Sequence, residues 1–256
     1  MDIVKHNNSA WNDLVDKKDR WTIPVSKEDI ENARKGIWNI VLTPTKPMPH
    51  NWFPDLKGLK VLGLASGGGQ QGPIIAALGA EVTIFDNSEN QLEQDRKMSD
   101  AFDLNIKTIQ GDMRDLSVFD DDTFDVVFNP CSILFVDKLD KVWSECYRVL
   151  KKGGVLVTGL TNPLSFQLSK VDDKFSLIYK QPYSDLNSLP KEELSAHIKK
   201  KEALAFGHSL TDQIGGQLKA GFVITDMFED DWGGEEELDE FFPSFFATRA
   251  VKVIMN

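Results

Sequence analysis

The feature that most constrains this chain is a rhythm. Between residues 60 and 158, short apolar runs alternate with longer amphipathic stretches. Residues 61–64, 81–85, 106–109, 124–128 and 155–158 read as strands, and 72–78, 89–102 and 138–150 as helices. Leu92, Met98 and Phe102 recur along the second of these helices, and Leu139, Val142, Cys146, Val149 and Leu150 share one face of the third. Strands separated by helices cannot be joined by tight turns. They must lie parallel, with each crossover helix packed back on the sheet. The chain therefore predicts an α/β fold with helices on both faces of a mostly parallel sheet.

The flanks break the rhythm. Residues 1–58 read as helical and loop-like. Ser26 and Asp29 have capping-box spacing, and Ile30, Ala33, Ile37 and Trp38 follow a helical period. Residues 43–49 hold three prolines in seven positions, which excludes helix and central strand. Residues 161–207 contain Pro163, Pro182 and Pro190 with several aromatics and no βα unit, and read as an inserted lid. A helix is expected at 209–219, a strand at 222–224 and a last strand at 245–254. Residues 229–240 carry eight acids in twelve positions and read as a solvated face. The expected organisation is one domain: 1–58 a helical cap, 59–160 a core, 161–207 the lid and 208–256 the C-terminal part of the sheet.

Composition narrows the classes. With 256 residues and 41% hydrophobic content, the chain can bury a full core. No apolar run approaches the ~20 residues that span a bilayer. The start, Met1-Asp2-Ile3-Val4-Lys5-His6, lacks the basic and apolar regions of a secretory signal. Cys131 and Cys146 make no disulfide framework, so a cytoplasmic location is expected. A net charge of -11 argues against a general surface for nucleic acid or anionic membrane. Neither cysteine has partners at zinc spacing, and the acidic run lacks calcium-loop spacing, so no metal is expected. Monomer and homodimer both stay open.

The chemistry points to the turn after the first strand. Residues 64–72, Leu-Ala-Ser-Gly-Gly-Gly-Gln-Gln-Gly, join that strand to a helix. Glycines there let a ligand touch the backbone, and the free amides of the helix start favour a polar or anionic group. Asp86 ends the second strand, 19 positions after Gly67 and near the roughly 20 expected of a carboxylate that reads ribose hydroxyls. Read literally, Gly67 to Gly72 also fits the G-x-G-x-x-G of nicotinamide dinucleotide enzymes.

Three further features turn the reading. Gly111-Asp112-Met113 follows the third strand, Asn129-Pro130 ends the fourth, and Leu150-Lys151-Lys152-Gly153-Gly154 precedes the fifth. Together with the glycine-rich turn, they resemble the class I S-adenosylmethionine-dependent methyltransferases, in particular the small-molecule group that includes enzymes of ubiquinone and menaquinone biosynthesis. The resemblance covers about residues 58–160, and the strand pattern at 222–254 more weakly. It implies a Rossmann-like, seven-stranded, mostly parallel sheet with an antiparallel C-terminal strand. It implies S-adenosylmethionine as cofactor, S-adenosylhomocysteine as product, and a small-molecule methyl acceptor. By position, Ala65, Gly67 and Gly69 would lie against methionine and ribose, Asp86 on the ribose hydroxyls and Asn87 beside the adenine. Asp112 would accept from the adenine amino group, Met113 would pack on the ring, and Asn129 with Pro130 would stand near the sulfonium. Gly63 and Ala65 depart from the family pattern, standing where an acid and the first glycine usually are.

An activated methyl on a sulfonium needs no metal or covalent nucleophile from the protein. Orientation and exclusion of water suffice, with a base only for acceptors protonated at neutral pH. His50 and His208 are candidate bases, though surface or capping roles suit them better; Tyr179 and Tyr183 are no stronger. Phe166, Phe175, Tyr179, Tyr183 and Phe206 either line an acceptor pocket or form a satellite core, while Trp11, Trp21 and Trp38 read as core. Two other readings stay open: an NAD(P)-dependent oxidoreductase, and a catalytically inactive S-adenosylmethionine-binding protein.

Overall fold

The computed structural model describes residues 1–253. Its central sheet contains β1 (Lys60–Leu64), β2 (Glu81–Asp86), β3 (Ile106–Gln110), β4 (Phe124–Asn129) and β5 (Leu150–Thr161), with two later strands, Phe222–Asp230 and Phe245–Lys252. The lateral order is Phe222–Asp230, Phe245–Lys252, β5, β4, β1, β2, β3. β1 pairs in parallel with β2 and β4, and β5 with β4. Only Phe245–Lys252 runs against its neighbours. This is the seven-stranded, mostly parallel sheet with an antiparallel C-terminal strand that the resemblance implies.

Period-two alternation sorts the strand residues onto two faces. Val61, Val82, Ile84, Val126 and Val157 pack with Ile74 and Ile75 of α3 (Gln71–Ala77) and Leu92 of α4 (Glu89–Phe102). Leu62, Leu64, Phe85, Val127 and Leu156 pack with Val142, Cys146 and Val149 of α5 (Asp140–Val149). Buried on both sides, the sheet needs nearly continuous apolar strands. α4 has the expected bounds: Ser88 caps its start by accepting from the Gln91 amide at 3.2 Å, and Asp103 stops it at φ 51°. α2 (Lys27–Ala33) has the expected capping box, but it ends before Ile37, which is 63% exposed beyond the turn at Gly36.

Other expectations shift. β5 starts five residues early because Leu150 already pairs with Phe124; residues 151–154 bulge out before pairing resumes at Val155, with Lys151 Nζ 2.8 Å from Asp125. The 209–219 helix resolves into a π-type turn, Thr211–Gly215, and a short α-helix, Gly216–Ala220, and the adjacent glycines weaken regular winding. The acidic run is only partly solvated. Asp230 is 6% exposed and accepts from Thr45 N at 3.0 Å, Thr45 Oγ1 at 2.6 Å and Lys46 N at 3.0 Å. Burial opposes its ionisation, yet these hydrogen bonds hold its carboxyl below the ordinary range.

That anchor fixes the proline-rich strap across the carboxyl ends of the strands. The Cys131 amide donates to Leu42 O at 2.9 Å, and a Cβ at Gly159 would collide with the same carbonyl. A second cover is α1 (Ile3–Asp16). Asn7, 3% exposed, donates to Phe135 O at 2.9 Å and Leu204 O at 3.0 Å and accepts from Leu204 N at 2.8 Å. Asn12 Oδ1 accepts from Ser88 Oγ at 2.7 Å and from the Asn90 amide at 3.1 Å. Residues 161–207 form short ribbons and helices, in which Tyr183 stacks near Phe166 and Tyr179 and donates to Asp185 at 2.7 Å. No helix among the described residues is long and apolar enough to cross a membrane.

Candidate functional site

A cavity of about 410 Å³ opens over the carboxyl ends of the parallel strands, beneath α1 and the strap. In open α/β sheets this is where ligands bind, because the strand order reverses there and loops splay apart. Its floor is the turn after β1. Ala65 adopts φ 47° and donates its amide to Phe85 O at 2.7 Å. An alanine in the left-handed region stores about 1 kcal/mol of strain, and the β1–β2 pairing holds it there. Gly67 lies so close to α4 and the end of β2 that a Cβ would be 2.8 Å from Gln91 Cβ and 3.1 Å from Asp86 Oδ2.

Asp86 governs the polar chemistry of this floor. Its Oδ2 accepts from the Gly67 amide at 2.9 Å and its Oδ1 from the Ser88 amide at 2.9 Å. Each oxygen thus keeps a further lone pair, and the residue borders the cavity. Burial pushes its carboxyl above the ordinary range, while the amides of Ser88, Gly67 and Asn87 pull it back. Asn87 also lines the cavity and donates to Val4 O at 2.8 Å, tying α1 to the end of β2.

Asp112 and Met113 line the next part of the wall. Asp112 is gripped by Arg114, with Nη2 to Oδ2 at 2.7 Å, and Arg114 Nη1 reaches Asp137 at 2.6 Å. Met113 is 8% exposed and packs with Leu62, Phe85 and Leu116. Gly111 is needed because a Cβ there would strike the Phe85 ring.

Ala65, Gly67, Asp86, Asn87, Asp112 and Met113 thus come together around the cavity, and Pro130 joins them. Gly69 does not: it turns away at φ 70°, and a Cβ there would be 3.0 Å from Pro24 and 3.1 Å from Met98. Asn129 is fully buried behind the wall. It donates to Leu64 O and Ser132 Oγ, each at 2.8 Å, and accepts from Thr158 Oγ1 at 2.9 Å, so it braces β1, β4 and β5. His50 stacks on Trp38 at 3.9 Å and bonds to Trp38 O, away from the cavity. His208 is 8% exposed, and its Nε2 donates to Ile133 O and Val136 O at 3.2 and 2.9 Å. Burial pushes its pKa down despite those carbonyls, so it is a neutral strut for the segment that carries Leu134 and Phe135 into the wall. Neither histidine reaches the cavity.

Several wall residues escaped the sequence reading. Trp11 and Trp21, read as core, line the cavity, whereas Trp38 packs against the core. Trp232, inside the acidic run, lines it too, held by Asp239, which accepts its amide at 3.1 Å. Of the lid aromatics, Phe166 reaches the wall, whereas Phe175, Tyr179, Tyr183 and Phe206 do not. Asp95 on α4 supports the floor from below. It is fully buried, its Oδ2 accepts from Gly68 N at 2.9 Å, and its Oδ1 has no partner. Burial pushes its carboxyl up to about 8, the Gly68 and Gly69 amides oppose this, and the Asp86 charge adds to it. An aspartate on the apolar stripe between Leu92 and Met98 was the available signal.

Three wall residues hold buried polar atoms without partners: Thr43 Oγ1, Ser66 Oγ and Gln91 Oε1. A buried polar atom left unpaired costs about 1–3 kcal/mol, and these three are closed off from the cavity as well as from bulk solvent.

Comparison with known proteins gives a consistent result. A family model described as a methyltransferase domain matches residues 62–158. The chain is 48% identical over 254 residues to an uncharacterised methyltransferase of Bacillus subtilis, YbaJ, across 98% of this chain and 99% of that protein. It is 35% identical over 126 residues to a ubiquinone/menaquinone biosynthesis C-methyltransferase, UbiE, of Idiomarina loihiensis, spanning 47% of this chain and 50% of that one. In fold it is similar to the crystal structure of an S-adenosylmethionine-dependent methyltransferase from Mesorhizobium loti, with a TM-score of 0.64 at 17% identity, over 78% of this chain and 94% of that one.

Proposed function

The chain belongs to the class I S-adenosylmethionine-dependent methyltransferases, and from that premise we propose how its residues grip the cofactor: Asp86 takes both ribose hydroxyls, with Ala65 and Gly67 against the methionine side and Asn87, Asp112 and Met113 around the adenine. The acceptor is a small molecule, and the work is cytoplasmic and independent of nucleic acid.

The observation that carries the reading is the pair of Asp86 oxygens, each holding one backbone amide at 2.9 Å and each with a lone pair left for a diol. The residues fit the cofactor in other respects. A Cβ at Gly67 would fill the space above Asp86, so the glycine keeps that cradle open. When bound, the cofactor supplies a methyl group on a positively charged sulfur. This chain's part is to hold the acceptor in line with that methyl and to exclude water beneath α1 and the strap. Asn129 and Ser132 keep the end of β4 rigid while this happens.

Isothermal titration separates this reading from the dinucleotide alternative. S-adenosylhomocysteine should bind and NAD(H) should not. The reverse result would overturn the assignment of the crevice. Methylation of any acceptor from a broad panel distinguishes an active enzyme from a silent cofactor-binding protein.

A further inference from the structure

The cavity is chemically lopsided. Its carboxylates, Asp86 and Asp112, stand at and beyond the ends of β2 and β3. The other half, beyond β5, is aromatic: Phe166, Phe245 and Trp232, with Trp21 reaching it from the N-terminal segment. Trp232 meets Phe245 edge-on at 4.8 Å, and Trp21 lies 6.2 Å from Trp232. The polar groups here are neutral: hydroxyls, the amides of Gln70 and Gln71, which bond to the backbone of Arg20, Ile23 and Val41, and the Cys131 thiol, which burial pushes up to about 11 so that it keeps its proton. Among the described residues, the charged side chains of the wall are Asp86, Asp112 and Arg114, all on the opposite half. Arg20 stacks 4.7 Å from Trp21 and 5.7 Å from Trp232 without lining the cavity, and Glu235 at 2.7 Å balances its charge.

We infer that the acceptor is a flat, uncharged molecule that attacks through a nitrogen or sulfur lone pair it holds without first losing a proton, and that Trp21, Trp232 and Phe245 are its specificity-determining contacts. This rests on the cofactor reading above. The transfer then balances without a base. The acceptor lone pair forms the new bond to the methyl carbon, the old sulfur–carbon pair returns to the donor sulfur, and the positive charge passes from donor to acceptor. Aromatic faces favour that charge as it develops. An anionic acceptor would instead lose its hydration with no cation in the wall of this half to replace it, Arg20 lying outside the lining and paired with Glu235.

Quinoline is a suitable probe, being flat and uncharged at neutral pH with a free ring-nitrogen lone pair. With the protein saturated in S-adenosylhomocysteine, quinoline should quench tryptophan fluorescence and bind, whereas quinoline-4-carboxylate should bind about tenfold more weakly or worse. Trp232→Ala should weaken quinoline binding about tenfold without changing S-adenosylhomocysteine affinity. Trp232→Leu, which keeps bulk and loses the ring, serves if the alanine variant fails to fold. With S-adenosylmethionine, mass spectrometry should detect N-methylquinolinium and little methylated 2-naphthol, which must lose a proton. Equal binding of the carboxylate, unaltered quinoline binding in both variants, no quinoline binding at all, or faster methylation of 2-naphthol would each overturn the inference. Failure of S-adenosylhomocysteine itself to bind the parent protein would instead sink the cofactor reading.

Discussion

Replacing Asp86 by asparagine changes one oxygen into an amino group and little else. In the parent, the two oxygens accept from Gly67 and Ser88, each at 2.9 Å. The new amino group must face one of those amides, so one backbone donor loses its acceptor. The same change removes a charged acceptor for a ribose hydroxyl. A hydrogen bond to a charged group contributes about 1.5–3 kcal/mol. At ~1.4 kcal/mol per factor of ten, S-adenosylhomocysteine affinity should fall about 10- to 150-fold. Fold stability should change less than binding, because burial already disfavours the parent carboxylate and its neutral isostere avoids that desolvation. The assay is calorimetric titration of both proteins, with a thermal melt showing that the variant is folded. The parent should also bind more weakly in acid. Its raised Asp86 pKa means that protonation, and with it the loss of the second acceptor oxygen, begins above the usual aspartate range as pH falls. A folded variant with parental affinity would refute the assignment of Asp86 to the ribose.

Three further predictions concern the supports. Asp95 has a pKa raised from 3.8 to about 8, so its favourable contribution is present below pH 4 and is lost as pH rises toward and through 8; Asp95→Asn should come level with the parent in melting temperature only near pH 3.5 and exceed it increasingly toward pH 8.5, and parallel pH curves would contradict the burial argument. Gly159→Ala drives a methyl into the Leu42 carbonyl, so it should cost about 1–3 kcal/mol in urea unfolding; a stable variant would mean the strap is not held against β5. Asn7→Ala strips three hydrogen bonds that tie α1 to Phe135 and Leu204, and should cost about 2–4 kcal/mol and speed proteolysis of the N-terminal helix, whereas parental protection there would show that α1 is held by other contacts.

The parallel core was legible because its signals are local. Short, nearly continuous apolar runs mark β1, β2 and β4, and Ser88 with the Leu92–Met98 stripe marks α4. The place of Asp86 at the cavity was readable for the same reason, since it depends on a strand end and a fixed distance from the glycine turn. The aromatic half of the cavity was not. Trp21 and Trp232 lie far apart in sequence and meet where Arg20 packs on both rings and pairs with Glu235, while Asp239 holds the Trp232 amide. Trp11 and Trp21 look like core tryptophans in a helical flank, and nothing local says that their neighbours leave a space. Asn129 and Gly69 sit at positions the family pattern marks. Here a hydrogen-bond brace turns the first inward, and contact with Pro24 and Met98 turns the second away. Asp95 was signalled only by its place on the Leu92–Met98 face; its sequence neighbours Glu93, Gln94, Arg96 and Lys97 are polar, and its burial depends on the glycine turn closing over it.

The most direct test of the account is a crystal structure grown with S-adenosylhomocysteine. The account predicts density for the nucleoside over the β1 turn, with both ribose hydroxyls within hydrogen-bond distance of the Asp86 carboxylate and the amino-acid tail beside Ala65. A nucleoside seated elsewhere, or a ribose whose hydroxyls point away from that carboxylate, would contradict it.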